Sequence, residues 1–260
     1  MPFVPTPAAA ALRQLRRERV LVSPLPADIA PATEAEGAAV QHALAGMANA
    51  VPPFGFKIGA TGRRMQAYLG VDAPIAGFMA GKDVYPGHAD LRFADFIRPG
   101  VECEVAVRLA RDLPPGPCTL EQAVAAVGDF VAGIEIVENR YGDLKELGTP
   151  TLVADQMYHA AAVIGDQGKV DWRSLDIGAL HGCISLSDGT QDAGVTTDLL
   201  GHPLNGLAWL AGSPVTAAFD GLKAGQVIML GSVTPPIWLT APATVTVAFP
   251  PLPPVTVRLI

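Results

Sequence analysis

VECEVAVRL, residues 101–109, decides how this sequence is read. Apolar and polar residues alternate along it with the period of a β-strand. Cys103, Val105 and Val107 take one face, and Glu102 and Glu104 share the other. Burying a charge without a partner is costly, and two neighbouring carboxylates repel unless a proton or a cation joins them. Either this is the wet face of an edge strand, or something positive sits on it. On pattern alone both readings stand.

A third carboxylate bears on the choice. Glu135 lies between Ile134 and Ile136 in FVAGIEIVE, residues 130–138, a second strand-like run. Three carboxylates in apolar surroundings suit a hard divalent cation, Mg²⁺ or Mn²⁺, which takes oxygen ligands and leaves positions for substrate oxygens. Zinc fits less well, because no histidine pair or CxxC accompanies them. Lys57 lies between Phe56 and Ile58 in FGFKIGATG (54–62), bracketed by glycines that permit close approach of backbone to a ligand. An ammonium buried there needs a counter-charge; the other reading is a lysine at a wet strand edge. Ser232 and Thr234 follow a late apolar strand and offer hydroxyls to a carboxylate. No GxSxG surrounds Ser232, and neither GxxxxGK[ST] nor GxGxxG occurs. His159, His181 and His202 are scattered and read as structural residues.

The chain has 260 residues, half of them apolar and 17% charged, with a formal net charge of −7. This supports a substantial core and disfavours nonspecific binding to nucleic acid or anionic lipid. RRER, 16–19, reads as a solvated helix face. The three cysteines, Cys103, Cys118 and Cys183, form no disulfide pattern. No run reaches the ~18 apolar residues of a membrane span, and the N-terminus lacks a signal peptide's pattern. The expectation is a cytoplasmic protein.

Along the chain, 6–20 and 33–48 read as helices, capped by Thr6 and Thr33, with Pro7 in the first turn of one and Glu36 at the capping-box position of the other. The whole chain holds 27 glycines and 24 prolines, and from about residue 54 short apolar runs alternate with glycine and proline turns. Strands are expected at 54–60, 101–109, 130–138, in HGCISLSDG (181–189) as it enters an Asp-Gly turn, at 226–232 and in VTVAF and VTVRL near the end. A helix capped by Thr119, with Gln122 completing its box, precedes Glu135's strand; another starts at 202. Residues 140–157 read as irregular. The division is a helical part, 1–52, and a β-rich catalytic body, 53–260. Its strands are too frequent for a doubly wound sheet.

Taken together, these blocks resemble the 2-keto-4-pentenoate hydratase and 4-oxalocrotonate decarboxylase branch of the fumarylacetoacetate hydrolase superfamily. The resemblance runs from about residue 33 to the end. It is carried by FKIGATGRRMQAYLGVDAPIAG (56–77), VECEVAV, GIEIVENR (133–140), TLVADQMYHAAAVIG (151–165), LLGHPLNGLAWLA (199–211) and LKAGQVIMLGSVTPP (222–236), in that order. It implies an α+β fold, a mixed, rolled β structure with N-terminal helices, and a soluble homo-oligomer; decarboxylase members associate with a hydratase. Glu102, Glu104 and Glu135 match the magnesium or manganese ligands, and Lys57, Asp155 and Ser232 match active-site positions. Gly59, Arg140, Gln156 and Thr234 are expected to contact substrate. The chain departs from the branch at Gln156, where asparagine is usual, at Val137-Glu138-Asn139 and at Leu144-Lys145. Residues 78–90 fall where its substrate-facing loop lies.

The implied reaction is metal-dependent addition of water to a 2-hydroxydienoate or its 2-oxo-enoate form, with Lys57, Asp155 or a water between them moving the proton. Alternatives are a 4-oxalocrotonate-type decarboxylase, which would want Arg63, Arg64 or Arg140 at a distal carboxylate, a C–C bond hydrolase of the superfamily, and a silent binding protein that kept the fold.

Overall fold

The alternation at 101–109 forms a strand at the centre of the molecule. The protein is described by a computed structural model covering residues 2–142 and 147–260. Leu144 and Lys145 lie outside the described residues, as does the side chain of Arg64. The strands, in chain order, are β1 (Gly55–Gly59), β2 (Ile75–Met79), β3 (Val84–Pro86), β4 (His88–Leu91), β5 (Pro99–Leu109), β6 (Val127–Glu138), β7 (His159–Ile164), β8 (His181–Leu186), β9 (Gln191–Val195), β10 (Val227–Ser232), β11 (Ile237–Trp238), β12 (Ala243–Ala248) and β13 (Val255–Leu259). The α-helices are α1 (Pro5–Glu18), α2 (Glu34–Met47), α3 (Arg63–Leu69), α4 (Leu120–Ala126), α5 (Gly148–Ala154), α6 (Pro203–Ala211) and α7 (Pro214–Ala218).

Eight strands form a mixed sheet in the order β2-β1-β10-β5-β6-β7-β3, with β11 on the end of β5. Five more form a second sheet, β4-β13-β12-β8-β9. Cys103, Val105 and Val107 of β5 and Ile134 and Ile136 of β6 face the second sheet, sharing one apolar core with Val245, Val247, Val255 and Val257. Period two sends their neighbours to the opposite face. There Lys57 of β1 registers with Met229 of β10, and Met229 with Ala106 of β5. The sheet curls so that β2 packs against β7 and the turn before it. The concave interior is closed at one end by a second, smaller apolar cluster that includes Met79, Ala106, Val131 and Met229. The expected rolled, mixed β structure is thus present.

Local chemistry explains the element ends. Thr119 and Gln122 close a reciprocal capping box on α4, with bonds of 3.3 and 2.7 Å. Thr33 caps α2 through the Glu36 N–H, whereas Glu36 Oε2 reaches past Thr33 to accept from the Ala32 N–H at 2.7 Å. Helix α1 begins one residue before the expected start: Val4 is its N-cap, Pro5 opens it, and Thr6 lies inside the first turn. Residues 140–157 are not wholly irregular. Thr151, Leu152, Val153 and Ala154 are buried in α5, which packs on α2. Nor is 78–90 one loop: after Met79 the chain makes a 3₁₀ turn, then pairs as β3 with β7 and as β4 with β13.

Candidate active site

The antiparallel register of β5 and β6 sets Glu102 directly opposite Glu135, with Glu104 two residues along on the same face. One carboxylate oxygen from each of the three lies within 4.8 Å of the others. Glu104 and Glu135 are buried and Glu102 is half-buried. Glu104 Oε2 accepts the Gly231 N–H at 3.0 Å. Gly231 has φ 107°, and a Cβ there would run into the Thr61 side chain, so glycine lets β10 bend toward the carboxylate. Glu135 Oε1 receives Lys57 Nζ at 3.2 Å and His159 Nδ1 at 2.9 Å. Glu104 Oε1 and Glu135 Oε2 are buried with no hydrogen-bond partner.

These two orphaned oxygens test whether a metal fits. Buried polar atoms are nearly always paired, and neighbouring carboxylates repel. A hard divalent cation satisfies both and draws Glu102 into the same shell. Electrostatics agrees. Burial, and then the Glu135 charge, push Glu102 up to about 8, against the pull of Lys57. Burial and the other two carboxylates hold Glu104 well above its usual range. Burial also works against Glu135, but the Lys57 ammonium and the His159 hydrogen bond outweigh it and keep that carboxyl ionised. Without a cation the trio therefore keeps its charge on Glu135, and burial and mutual repulsion push the other two toward their protonated forms.

Lys57 is 1% exposed, while Phe56 and Ile58 on either side point into the main core. Its Nζ also donates to the Met157 carbonyl at 2.8 Å. That carbonyl is aimed by an unusual segment: Gln156, Met157 and Tyr158 have φ of 57°, 47° and 69° in succession. Left-handed backbone at non-glycine residues costs about 1–3 kcal/mol each, so the surroundings must hold it in place. Gly59 makes room, since a Cβ there would stand 3.1 Å from Met157 Cγ and 3.3 Å from Lys57 Nζ.

Asp155 is part of that hold. Its Oδ1 accepts Arg16 Nε at 2.8 Å, and its Oδ2 accepts Arg140 Nε at 3.1 Å, Arg140 Nη2 at 3.0 Å and the Tyr141 hydroxyl at 2.7 Å. Burial opposes its ionisation, but the two guanidiniums hold it below the usual carboxylate range. Arg16 also donates to Gln156 Oε1 at 2.5 Å, and Gln156 Nε2 to the Phe78 carbonyl at 2.5 Å. Arg16 therefore turns inward, unlike the solvated face expected of 16–19. Arg140 is buried, and also meets Glu138 Oε2 at 3.1 Å and the His159 carbonyl at 3.2 Å. Ser232 stands opposite Glu104 where β10 bulges. Its Oγ accepts the Cys103 N–H at 3.1 Å and donates to the Cys103 carbonyl at 3.3 Å, clipping β10 to the strand between the two glutamates. Thr234 donates its N–H to Ser232 Oγ at 3.3 Å, and its own Oγ1 is buried and unpaired.

The sequence reads His159 as a structural histidine, and the structure places it on Glu135. A register shift between Ile136 and Val137 sets it across from Val137 and brings its ring to Glu135. No local signal marks it, because the contact spans 24 residues and depends on the bulge. Its Nε2 is buried and unpaired. His181 is exposed on β8, and His202 caps α6 by accepting the Leu204 N–H at 3.2 Å. A cleft of about 610 Å³ is lined among others by Arg13, Arg16 and Arg17 of α1 and by Phe78, Arg140 and His159. Arg63 is exposed on α3 and does not line it. Among the described residues, no helix is long and apolar enough to cross a membrane.

Comparison with known proteins places this geometry. No family model matches the sequence. The chain is 33% identical over 190 residues to a 2-keto-4-pentenoate hydratase of Burkholderia vietnamiensis strain G4, covering 73% of this chain and 71% of that protein. It is 30% identical over 189 residues to a 2-oxo-hept-4-ene-1,7-dioate hydratase of Escherichia coli, covering 70% of each. Among solved structures, 4-oxalocrotonate decarboxylase from Pseudomonas putida G7, complexed with magnesium and adipate, superposes with a TM-score of 0.87 at 25% identity over 98% of this chain and 97% of that one. Fumarylpyruvate hydrolase from Pseudomonas aeruginosa, in complex with Mn²⁺ and pyruvate, shares the fold at a TM-score of 0.57 and 14% identity, over 79% of this chain and 88% of that one. With a mixed curled sheet, three convergent carboxylates and relatives at this level over most of its length, the chain belongs to the 2-keto-4-pentenoate hydratase family, on the fumarylacetoacetate hydrolase fold.

Proposed function

We propose that this protein is a Mg²⁺- or Mn²⁺-dependent hydro-lyase that adds water to a 2-hydroxydienoate through its 2-oxo-enoate form. The observation that carries the reading is the pair of buried, unpartnered oxygens on Glu104 and Glu135, set beside a buried lysine. Glu102, Glu104 and Glu135 hold the cation in this reading. When bound, the cation supplies a Lewis acid that polarises a 2-oxo group and steadies the negative charge that enolisation places on it.

The chain's own groups do the rest. Lys57 Nζ carries the proton to and from the substrate carbon skeleton. The Met157 carbonyl and Glu135 fix where that nitrogen stands, so transfer needs little reorganisation. Thr234 Oγ1 is free to bond a substrate carboxylate, and Ser232 keeps the two-glutamate strand in register. Asp155 serves by locking the left-handed segment through Arg16 and Arg140, and Gln156 ties that segment to β2. The relatives' names span a substrate with one carboxylate and one with two. A second reading, decarboxylation of a 2-oxo acid, draws on the superposition with 4-oxalocrotonate decarboxylase over nearly the whole chain. We place the protein in the cytoplasm as a homo-oligomer, on its half-apolar composition and the exposed Phe54 and Trp238.

The test follows the ultraviolet absorbance of 2-hydroxypenta-2,4-dienoate and longer dienoates with and without Mg²⁺, with carbon dioxide measured in parallel. Metal-dependent loss of the dienoate and a 4-hydroxy-2-oxo acid product support the hydratase. Stoichiometric carbon dioxide supports the decarboxylase. No turnover across the panel with metal bound removes both.

A further inference from the structure

The helix repeat carries Arg16 inward. Ala8, Ala9 and Leu12 of α1 are fully buried, and Arg16 follows Leu12 by four residues and Ala9 by seven, on the same side of the helix. The helix is a firm base for it: α1 packs on α2, and Arg19 at its C-cap donates to Asp95 and to the Ala94 carbonyl. One guanidinium then reaches two consecutive residues. Nε and Nη2 donate to Asp155 Oδ1, Nη2 also to the Asp155 carbonyl at 3.0 Å, and Nη1 to Gln156 Oε1 at 2.5 Å. Arg140 holds Asp155 as well, but among the described residues Arg16 alone bonds both Asp155 and Gln156. Gln156 opens the left-handed run in which the Met157 carbonyl meets Lys57 Nζ. The run lies over Gly77, which stands opposite Lys57 in the β1–β2 register; a Cβ there would come within 2.8 Å of the Gln156 carbonyl oxygen. Three successive non-glycine residues in this backbone region persist only where their surroundings over-determine them.

We infer that Arg16 is a positioning residue for the proton transfer: it clamps Asp155 and Gln156 so that the Met157 carbonyl holds Lys57 Nζ in place. The inference rests on the reading of Lys57 as the group that moves the proton. The four bonds of Arg16 all end on Asp155 and Gln156, so it acts on Lys57 through the backbone of Met157. Without Arg16, Lys57 keeps Glu135 as a partner while its second acceptor is free to move. A misplacement of about 1 Å caused far from the reacting atoms can cost about 10²-fold in rate. The side chain of Arg140 is 2% exposed, whereas that of Arg16 is 25% exposed and lines the cleft of about 610 Å³. A guanidinium ion from solution can therefore enter the seat that a truncated Arg16 leaves.

The test compares wild type with Arg16→Ala, both loaded with Mg²⁺, on 2-hydroxypenta-2,4-dienoate, and follows amide hydrogen exchange at 155–159 on the same samples. In Arg16→Ala kcat should fall about 10–100-fold with KM little changed. Exchange should quicken at 155–159 while β5 keeps its wild-type protection. Guanidinium chloride, far below unfolding concentrations, should restore part of both kcat and protection in a saturable way, and potassium chloride at equal strength should restore neither. Arg16→Lys keeps the charge but cannot fork across two residues, so it should lose kcat as well; it carries the test if the alanine variant does not fold. Wild-type kcat in either variant, or a loss in Arg16→Ala that guanidinium leaves untouched, overturns the clamp. A raised KM at constant kcat also overturns it, since Arg16 would then be a substrate contact. If the wild type consumes no dienoate, the hydratase reading falls by itself. The clamp is then decided by exchange: quickened exchange that guanidinium reverses supports it, and unchanged exchange at 155–159 overturns it.

Discussion

Lys57 and Glu135 form an ion pair of 3.2 Å in which neither side chain reaches water in any useful degree. A buried pair of this kind is stable only if the other lone pairs and protons are also met. Lys57 is met by the Met157 carbonyl and Glu135 by His159, while Glu135 Oε2 and Glu104 Oε1 are left over. The pair thus fixes the charge state of one carboxylate and leaves a position for a cation between it and Glu104.

Removing one ligand from the trio should remove metal. Glu104→Gln keeps the shape and the Gly231 hydrogen bond but loses the anion. Its affinity for Mg²⁺ or Mn²⁺ should fall by more than about 100-fold, because even outer-shell partners are worth about 10–100-fold. Calorimetric titration of the purified variant reads this directly; an affinity equal to wild type would mean the cation sits elsewhere.

Lys57→Ala should separate binding from turnover. The three glutamates remain, so the variant is expected to bind metal, while turnover on any substrate the wild type accepts drops by about 10²–10⁴-fold, the usual worth of one acid–base group. Metal content and rate are to be measured on the same sample. Near-native turnover would make Lys57 a packing residue.

Asp155→Asn should act on stability. It leaves Arg140 buried without its main counter-charge and weakens the bond to Arg16, and breaking a buried pair costs about 3–5 kcal/mol. Urea unfolding of the variant should show that loss, with Arg16→Gln showing a smaller one because Arg16 is partly exposed. A variant as stable as wild type but inactive would move Asp155 from positioning to the chemistry itself.

Metal binding should release protons. In the metal-free protein Glu102 is pushed up to about 8, from an ordinary value of 4.5, and burial and the neighbouring carboxylates also raise Glu104. A folded-state value above the unfolded one means that this part of the stability is full below pH 4.5 and is lost as pH rises through about 8. The metal-free protein should therefore lose melting temperature across that window, and Mg²⁺ should restore it by displacing the protons. Calorimetry at neutral pH in buffers of different ionisation enthalpy should report proton release on metal binding, with Glu102 as a donor; none released would show that Glu102 is already ionised.

What the sequence determined by itself is local. The period of two at 101–109 put Glu102 and Glu104 on one face and set Lys57 and Glu135 on the face opposite their apolar neighbours, without deciding whether that face meets a pocket or water, because side-chain alternation is a property of the strand alone. Capping chemistry fixed the starts of α2 and α4 in the same way. Tertiary structure alone decided which groups meet. The pairing of Glu102 with Glu135 depends on β5–β6 register, and that of His159 with Glu135 on a bulge in β6–β7. The family resemblance marks Asp155 as an active-site position but says nothing of its partners. Only the packing of α1 and of Arg140 around it turns it into the centre of an arginine network. The helix at 148–154 was hidden because its first residues look like a turn and its buried side is set by α2. Contacts between distant segments carry no local pattern, so charge, register and burial there are settled only when the chain has folded.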